Sequence, residues 1–154
     1  MHRFLTMPAA AGLLLTLAFG VAAATPDAQA ERFRSTDSNG DGFVDLAEQR
    51  AAVQREFETI DGNRDGFLDQ AEYAKHLAAS VQGALPAQAL QSVARCYIRG
   101  ADRNGDGKLS LDEQQAHGLR FFKALDSNGD GRLTLEESKR PPDPKAIGPQ
   151  PVCD

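Results

Sequence analysis

Four stretches of the chain carry the same arrangement of oxygen-bearing side chains. The first reads Asp37-Ser38-Asn39-Gly40-Asp41-Gly42-Phe43-Val44-Asp45-Leu46-Ala47-Glu48, and the others run from Asp61 to Glu72, Asp102 to Glu113 and Asp126 to Glu137. Each is D-x-N-x-D-G, then five residues, then Glu. Donors that are all oxygen, and mostly ionised, suit a hard divalent cation rather than a thiolate- or imidazole-seeking one. These stretches hold sixteen of the 22 acidic residues; the remainder are Asp27, Glu31, Glu56, Glu58, Asp143 and Asp154. Every dense carboxylate cluster is thereby used. No Ser-His-Asp set, phosphate loop or isolated carboxylate dyad is left over, and a non-enzymatic protein is expected.

The pattern resembles the EF-hand calcium loop, and all four copies match it without a gap. The resemblance implies Ca²⁺ as the ion, about four per chain, held by six to eight oxygens at roughly 2.3–2.6 Å in each site. Positions 1, 3 and 5 would supply side chains: Asp37, Asn39 and Asp41; Asp61, Asn63 and Asp65; Asp102, Asn104 and Asp106; Asp126, Asn128 and Asp130. Position 7 would offer its carbonyl (Phe43, Phe67, Lys108, Arg132). Position 9 would act through a water (Asp45, Asp69, Ser110, Thr134), and position 12 would give two oxygens (Glu48, Glu72, Glu113, Glu137). Position 6 is always Gly, where the chain must turn sharply. Position 8 is always apolar, as needed where two loops pair as a short ribbon above a core. Without the ion, the carboxylates of each loop are expected to crowd and repel.

The elements that must position these loops follow from the residues between them. Phe33, Phe57, Ile98 and Phe122 each stand four residues before a loop, and Thr36, Ile60, Ala101 and Leu125 stand immediately before one. These positions face the core from an entering helix. The loops start at 37, 61, 102 and 126. Only residues 49–60 separate the first two, with Leu46, Val53, Phe57 and Ile60 on one helical face. One helix must serve as exit from the first loop and entrance to the second. Residues 114–125 do the same between the last two loops, with Leu111, Leu119, Phe122 and Leu125; Gly118 is expected to bend that helix. In the middle, Tyr73–Gln82 and a helix bearing Leu90, Val93, Tyr97 and Ile98 flank a break at Gly83-Ala84-Leu85-Pro86. The fold class is therefore all-α, EF-hand helix-loop-helix repeats with four calcium loops and a central pair made from loops 2 and 3. The first and fourth loops sit at the far ends of the outer helices, where they either meet or stay unpaired.

The expected domain plan is a signal peptide over residues 1–24, an EF-hand domain over 31–140 with loops at 37–48, 61–72, 102–113 and 126–137, and a Pro-rich tail over 141–154. Met1-His2-Arg3 followed by the apolar run Phe4–Ala24 reads as a secretory signal. Small-residue cleavage sites fall at Ala22-Ala23-Ala24 and at Ala28-Gln29-Ala30, so the boundary lies at 24 or 30; an uncleaved anchor is the alternative. The tail has five prolines and is expected to be extended, with no core of its own. Cys96 and Cys153 are the only cysteines, and an exported chain makes them candidates for a disulfide. His76 and His117 have no partner at ligand spacing and are expected at the surface or helix ends.

The formal charge is −5. Loss of residues 1–24 removes Arg3 and leaves −6; four Ca²⁺ would turn this to about +2. No basic or aromatic array suggests nucleic acid, and no membrane contact is expected once the signal is removed. The mature chain is expected to be a monomer in the periplasm or outside the cell, similar to bacterial exported EF-hand proteins with closely spaced loops. Both methionines, Met1 and Met7, lie in the signal, which argues against a Met-rich target groove. A calcium buffer or calcium-ordered structural protein is the favoured function. The alternative is a calcium-dependent adaptor or sensor for another exported protein, with the Pro-rich tail as docking element.

Overall fold

The computed structural model describes residues 26–81 and 84–147. The signal segment 1–24, Gly83 and the end of the tail with Cys153 lie outside the described residues. In chain order the elements are α1 (Pro26–Thr36), β1 (Phe43–Asp45), α2 (Leu46–Ile60), β2 (Phe67–Leu68), α3 (Gln70–Ser80), α4 (Ala87–Ala101), β3 (Leu109–Ser110), α5 (Leu111–Leu125), β4 (Arg132–Thr134), α6 (Leu135–Ser138) and α7 (Pro144–Ile147). The protein is all-α, with helix-loop-helix repeats and strands of only two or three residues.

Helix starts are written into the loops. Asp45, Asp69, Ser110 and Thr134 at position 9 are the N-caps of α2, α3, α5 and α6. In each case the Glu at position 12 closes a reciprocal capping box, its carboxylate accepting the N-cap backbone N–H. Helix ends are equally regular. The N–H of each position-1 Asp donates back to the carbonyl four residues earlier: Asp37 to Phe33, Asp61 to Phe57, Asp102 to Ile98 and Asp126 to Phe122.

The short strands decide how the repeats associate. Strands β2 and β3 pair antiparallel with Leu68 opposite Leu109, so loops 2 and 3 form a pair. Strands β1 and β4 pair antiparallel with Val44 opposite Leu133, so loops 1 and 4 also meet. All four position-8 side chains are buried beneath the ribbons. The larger core lies under β2–β3 and includes Phe57, Leu68, Tyr73, Leu77, Ile98 and Leu109. A smaller one under β1–β4 joins Val44, Phe122 and Leu133, with Phe33, Leu46 and Leu125 packed against it.

Helices α2 and α5 belong to both pairs and run antiparallel, since β1 leads into α2 while β4 follows α5. At fifteen residues each they span about 22 Å, which separates the two ribbons. Gly118 does not break α5, which is continuous from Leu111 to Leu125. It lies instead where α5 meets α2: a Cβ there would stand 3.1 Å from Val53 Cγ2. The expected bend is thus a close helix–helix approach, which a residue without a side chain permits.

Two further expectations need correction. His117 is buried at 6% exposure, its ring edge-on to Tyr97 and tilted against Phe121, because the face of α5 that carries it turns inward. Ordered structure is also present on either side of residues 31–140. Helix α1 starts at Pro26, and beyond residue 140 the chain is not simply extended. The N–H of Asp143 donates to the Ala124 carbonyl at 2.9 Å, and Ile147 of α7 packs on Phe121 and Ala124. Prolines at 141 and 142 end α6 but leave the chain free to fold back onto α5.

Candidate metal centre

Each loop is held by its own side chains in one repeating hydrogen-bond pattern. The position-6 glycine N–H donates to Oδ2 of the position-1 Asp at 2.9–3.0 Å in all four loops. The position-7 N–H donates to Oδ1 of the position-5 Asp at 2.9 Å. The Asn at position 3 accepts the position-5 N–H and donates its amide to the position-5 carboxylate. This wrapping requires left-handed backbone at position 6, where Gly42, Gly66, Gly107 and Gly131 have φ of 80–84°.

Position 4 also takes this conformation. It is Gly40, Gly105 or Gly129 in three loops, but Arg64 with φ 60° in the second. Those glycine N–H groups donate to the position-1 carboxylate at 2.7–2.8 Å. Sequence reasoning passed over this position, although a second Gly in three of four copies was the visible signal. It likewise missed that positions 9 and 12 are helix-capping residues, which the S/T/D-x-x-E spacing encodes.

The position-12 carboxylates are turned to the loop backbone. Oε1 accepts the position-2 N–H from Ser38, Gly62, Arg103 and Ser127 at 2.9–3.2 Å, and Oε2 accepts the position-9 N–H at 3.0–3.1 Å. These donors hold the Glu113 carboxyl down to about 2, the Ser110 N–H contributing most and the Arg103 N–H next. Glu137 is lowered in the same way, chiefly by the Thr134 N–H. Hydrogen bonds to the charged form favour it, so the expected carboxylate crowding is relieved by backbone donors. Correspondingly, among the described residues no three His, Cys, Asp or Glu side chains converge closely enough to hold a metal in this arrangement.

The donor chemistry nonetheless fits a calcium ion. One oxygen from each of positions 1, 3 and 5, a carbonyl at position 7 and two from position 12 make about six, the lower end of the calcium range. A carboxylate has about four lone-pair sites, and the hydrogen bonds accepted within the loops use only some of them: two for Asp41 and two for Asp106. A cation would compete with backbone N–H groups for the position-12 Glu.

Comparison with known families divides the chain as the ribbons do. Residues 50–117, which contain the loops joined by β2–β3, match the EF-hand domain pair family. Residues 29–50 and 120–140, which contain the loops joined by β1–β4, match the EF hand family. No curated protein matches the chain. The chain thus carries EF-hand domains, with the helix-loop-helix fold of the EF-hand superfamily. Such domains bind calcium in general and are typically non-enzymatic.

Outside the loops, one ionisable group stands out. Glu56 on α2 is raised to about 7 by burial, with the Arg32 charge on α1 opposing. His76 on α3 lies 3.9 Å from it. His117 is lowered to about 4 by burial and by Arg120, whose guanidinium lies 2.9 Å from His117 Nδ1 and also donates to the Gly100 carbonyl. A neutral His accepting at Nδ1 fits that arrangement.

Proposed function

We propose that the chain binds about four calcium ions through its four loops and acts as a calcium buffer, or as a structural protein ordered by calcium, without enzymatic activity. The ligands would be the oxygens at positions 1, 3, 5, 7 and 12 of each loop: the side chains of Asp37, Asn39, Asp41 and Glu48 with the Phe43 carbonyl in loop 1, and their counterparts in loops 2 to 4. Position 9 would contribute through water while capping the following helix. The observation that carries this reading is the pairing of every loop: β1–β4 and β2–β3 leave none alone, and paired loops support one another's conformation.

The reading extends to an exported, monomeric protein of the periplasm or medium. The basic start and apolar run of residues 1–24 support it, and so does the position of α1. Processing after Ala24 leaves that helix whole, whereas processing after Ala30 removes its first turn. A Cys96–Cys153 bridge belongs to the same proposal, supported by the lack of any free thiol among the described residues. The adaptor reading takes the Pro-rich tail as its docking element. Docking of residues 143–147 onto α5 favours the buffer or structural reading over it.

Calorimetric titration of the chelator-treated mature protein tests the proposal. About four ions per chain are expected. A plateau near two would mean that one ribbon's loops do not bind, and absence of binding would refute the reading.

A further inference from the structure

Lys108 occupies position 7 of loop 3, yet its side chain serves loop 2. The β2–β3 register places it beside that loop. Its Nζ lies 3.4 Å from Oδ2 of Asp65, and its ammonium stands 5.5 Å from the centre of the Phe67 ring. Phe67 is the one large apolar side chain exposed among the described residues, and a cation over its face is held there by the ring quadrupole. Asp65 already accepts the Phe67 N–H at 2.9 Å and the Asn63 amide at 3.2 Å. Its carboxyl is held below the ordinary range, first by the Phe67 N–H and, beyond that, by Asn63 and Lys108.

The other ribbon offers an internal comparison. Arg132 is the position-7 cation of loop 4 and stands 5.7 Å from the Phe43 ring centre. Among the described residues, however, the ion pairs include none from Arg132 to Asp41. A cation placed on the position-5 carboxylate of the neighbouring loop is thus a feature of loop 2.

We propose that Lys108 of loop 3 is an affinity-setting residue for loop 2: its ammonium competes for the Asp65 carboxylate and makes loop 2 a weaker, more salt-sensitive calcium site than its own residues would. The inference rests on the calcium reading. Its physical basis is that two cations sharing one carboxylate repel, and that Asp65 divides its charge between them. Both side chains stand in water, with 46% and 39% of their surfaces exposed, so the effect is moderate, about twofold to fivefold in affinity. It must shrink with ionic strength, because exposed charges are screened within about 10 Å at 0.1 M salt.

The test is a calcium titration of the full ¹⁵N-labelled mature chain, following the Gly66 amide for loop 2 and the Gly107 amide for loop 3. Lys108→Gln should tighten the Gly66 transition about twofold to fivefold at low salt, more than it tightens the Gly107 transition, and the gain should fade at 0.5 M salt, on the order of the range where screening is strong. Lys108→Arg should retain the weak loop 2. In the calcium-free protein, Lys108→Gln should move the Phe67 ring resonances, which a side chain without contact there would leave in place. An unchanged Gly66 transition, or a Gly107 transition that tightens as much, would overturn the proposal while leaving calcium binding intact. Failure of both amides to respond to calcium in the unsubstituted chain would overturn this inference and the calcium reading together.

Discussion

Arg64 shows how tightly each loop specifies its residues. It is the only described non-Gly residue with positive φ, at a position that is glycine in the other three loops. A left-handed conformation costs a residue with a Cβ about 1–2 kcal/mol, partly offset because Gly loses more entropy on folding. Arg64→Gly is therefore expected to raise stability by about 0.5–1 kcal/mol, read as an increased urea midpoint at unchanged slope; a lower midpoint would contradict the strain. Glu56 gives a second test. Its ordinary value of 4.5 is raised to about 7 in the fold. The folded state then binds a proton more tightly, so the associated stability is present in full below pH 4.5 and is lost as pH rises through about 7. With 29% of its side chain still exposed, Glu56→Gln should gain about 1–2 kcal/mol over the parent at pH 8 and nothing near pH 4. Parallel pH profiles for the two proteins would refute it. Position 4 was legible in the sequence, since Gly40, Gly105 and Gly129 recur at one offset. Burial of Glu56 was not, because it depends on α1 and α3 closing over α2.

At the scale of elements, the sharing of helices was readable and their contacts were not. Residues 49–60 are too few for an exit helix, a linker and an entering helix, which forces α2 to serve two loops; 114–125 force the same on α5. Periodicity placed Val53, Phe57 and Phe122 on buried faces, where they are found. A lone glycine in a helix, by contrast, signals either a bend or a close approach, and only the partner's position distinguishes them. Here the partner is Val53. A larger side chain at 118 has no room between α5 and α2. Gly118→Leu should therefore cost about 1–3 kcal/mol despite its better helix propensity, measured by urea unfolding of the calcium-free protein. Equal or higher stability would mean that the two helices can separate freely. The tail was misjudged for a related reason. Its prolines correctly end α6, but Ile147 finds an apolar site on Phe121 and Ala124 that composition alone does not reveal.

On the scale of the whole molecule, two loop pairs stand at opposite ends of one antiparallel helix pair. Spacing in the sequence identified the β2–β3 pair and left the outer loops undecided, because whether loops 1 and 4 meet depends on how α2 packs on α5. The β1–β4 register answers this, and it makes a coupling prediction that distinguishes the partner across a ribbon from the neighbour along a helix. The most direct measurement is a site-resolved calcium titration of Glu48→Gln, following the amides of Gly42, Gly66, Gly107 and Gly131. Loss of one carboxylate from loop 1 should weaken the Gly42 transition most and the Gly131 transition next, through the ribbon with loop 4, while Gly66 and Gly107 titrate close to the parent. If Gly66, at the other end of the same helix, were weakened more than Gly131, the pairing would be contradicted; if none of the four amides moved with calcium, so would the assignment of the loops as calcium sites.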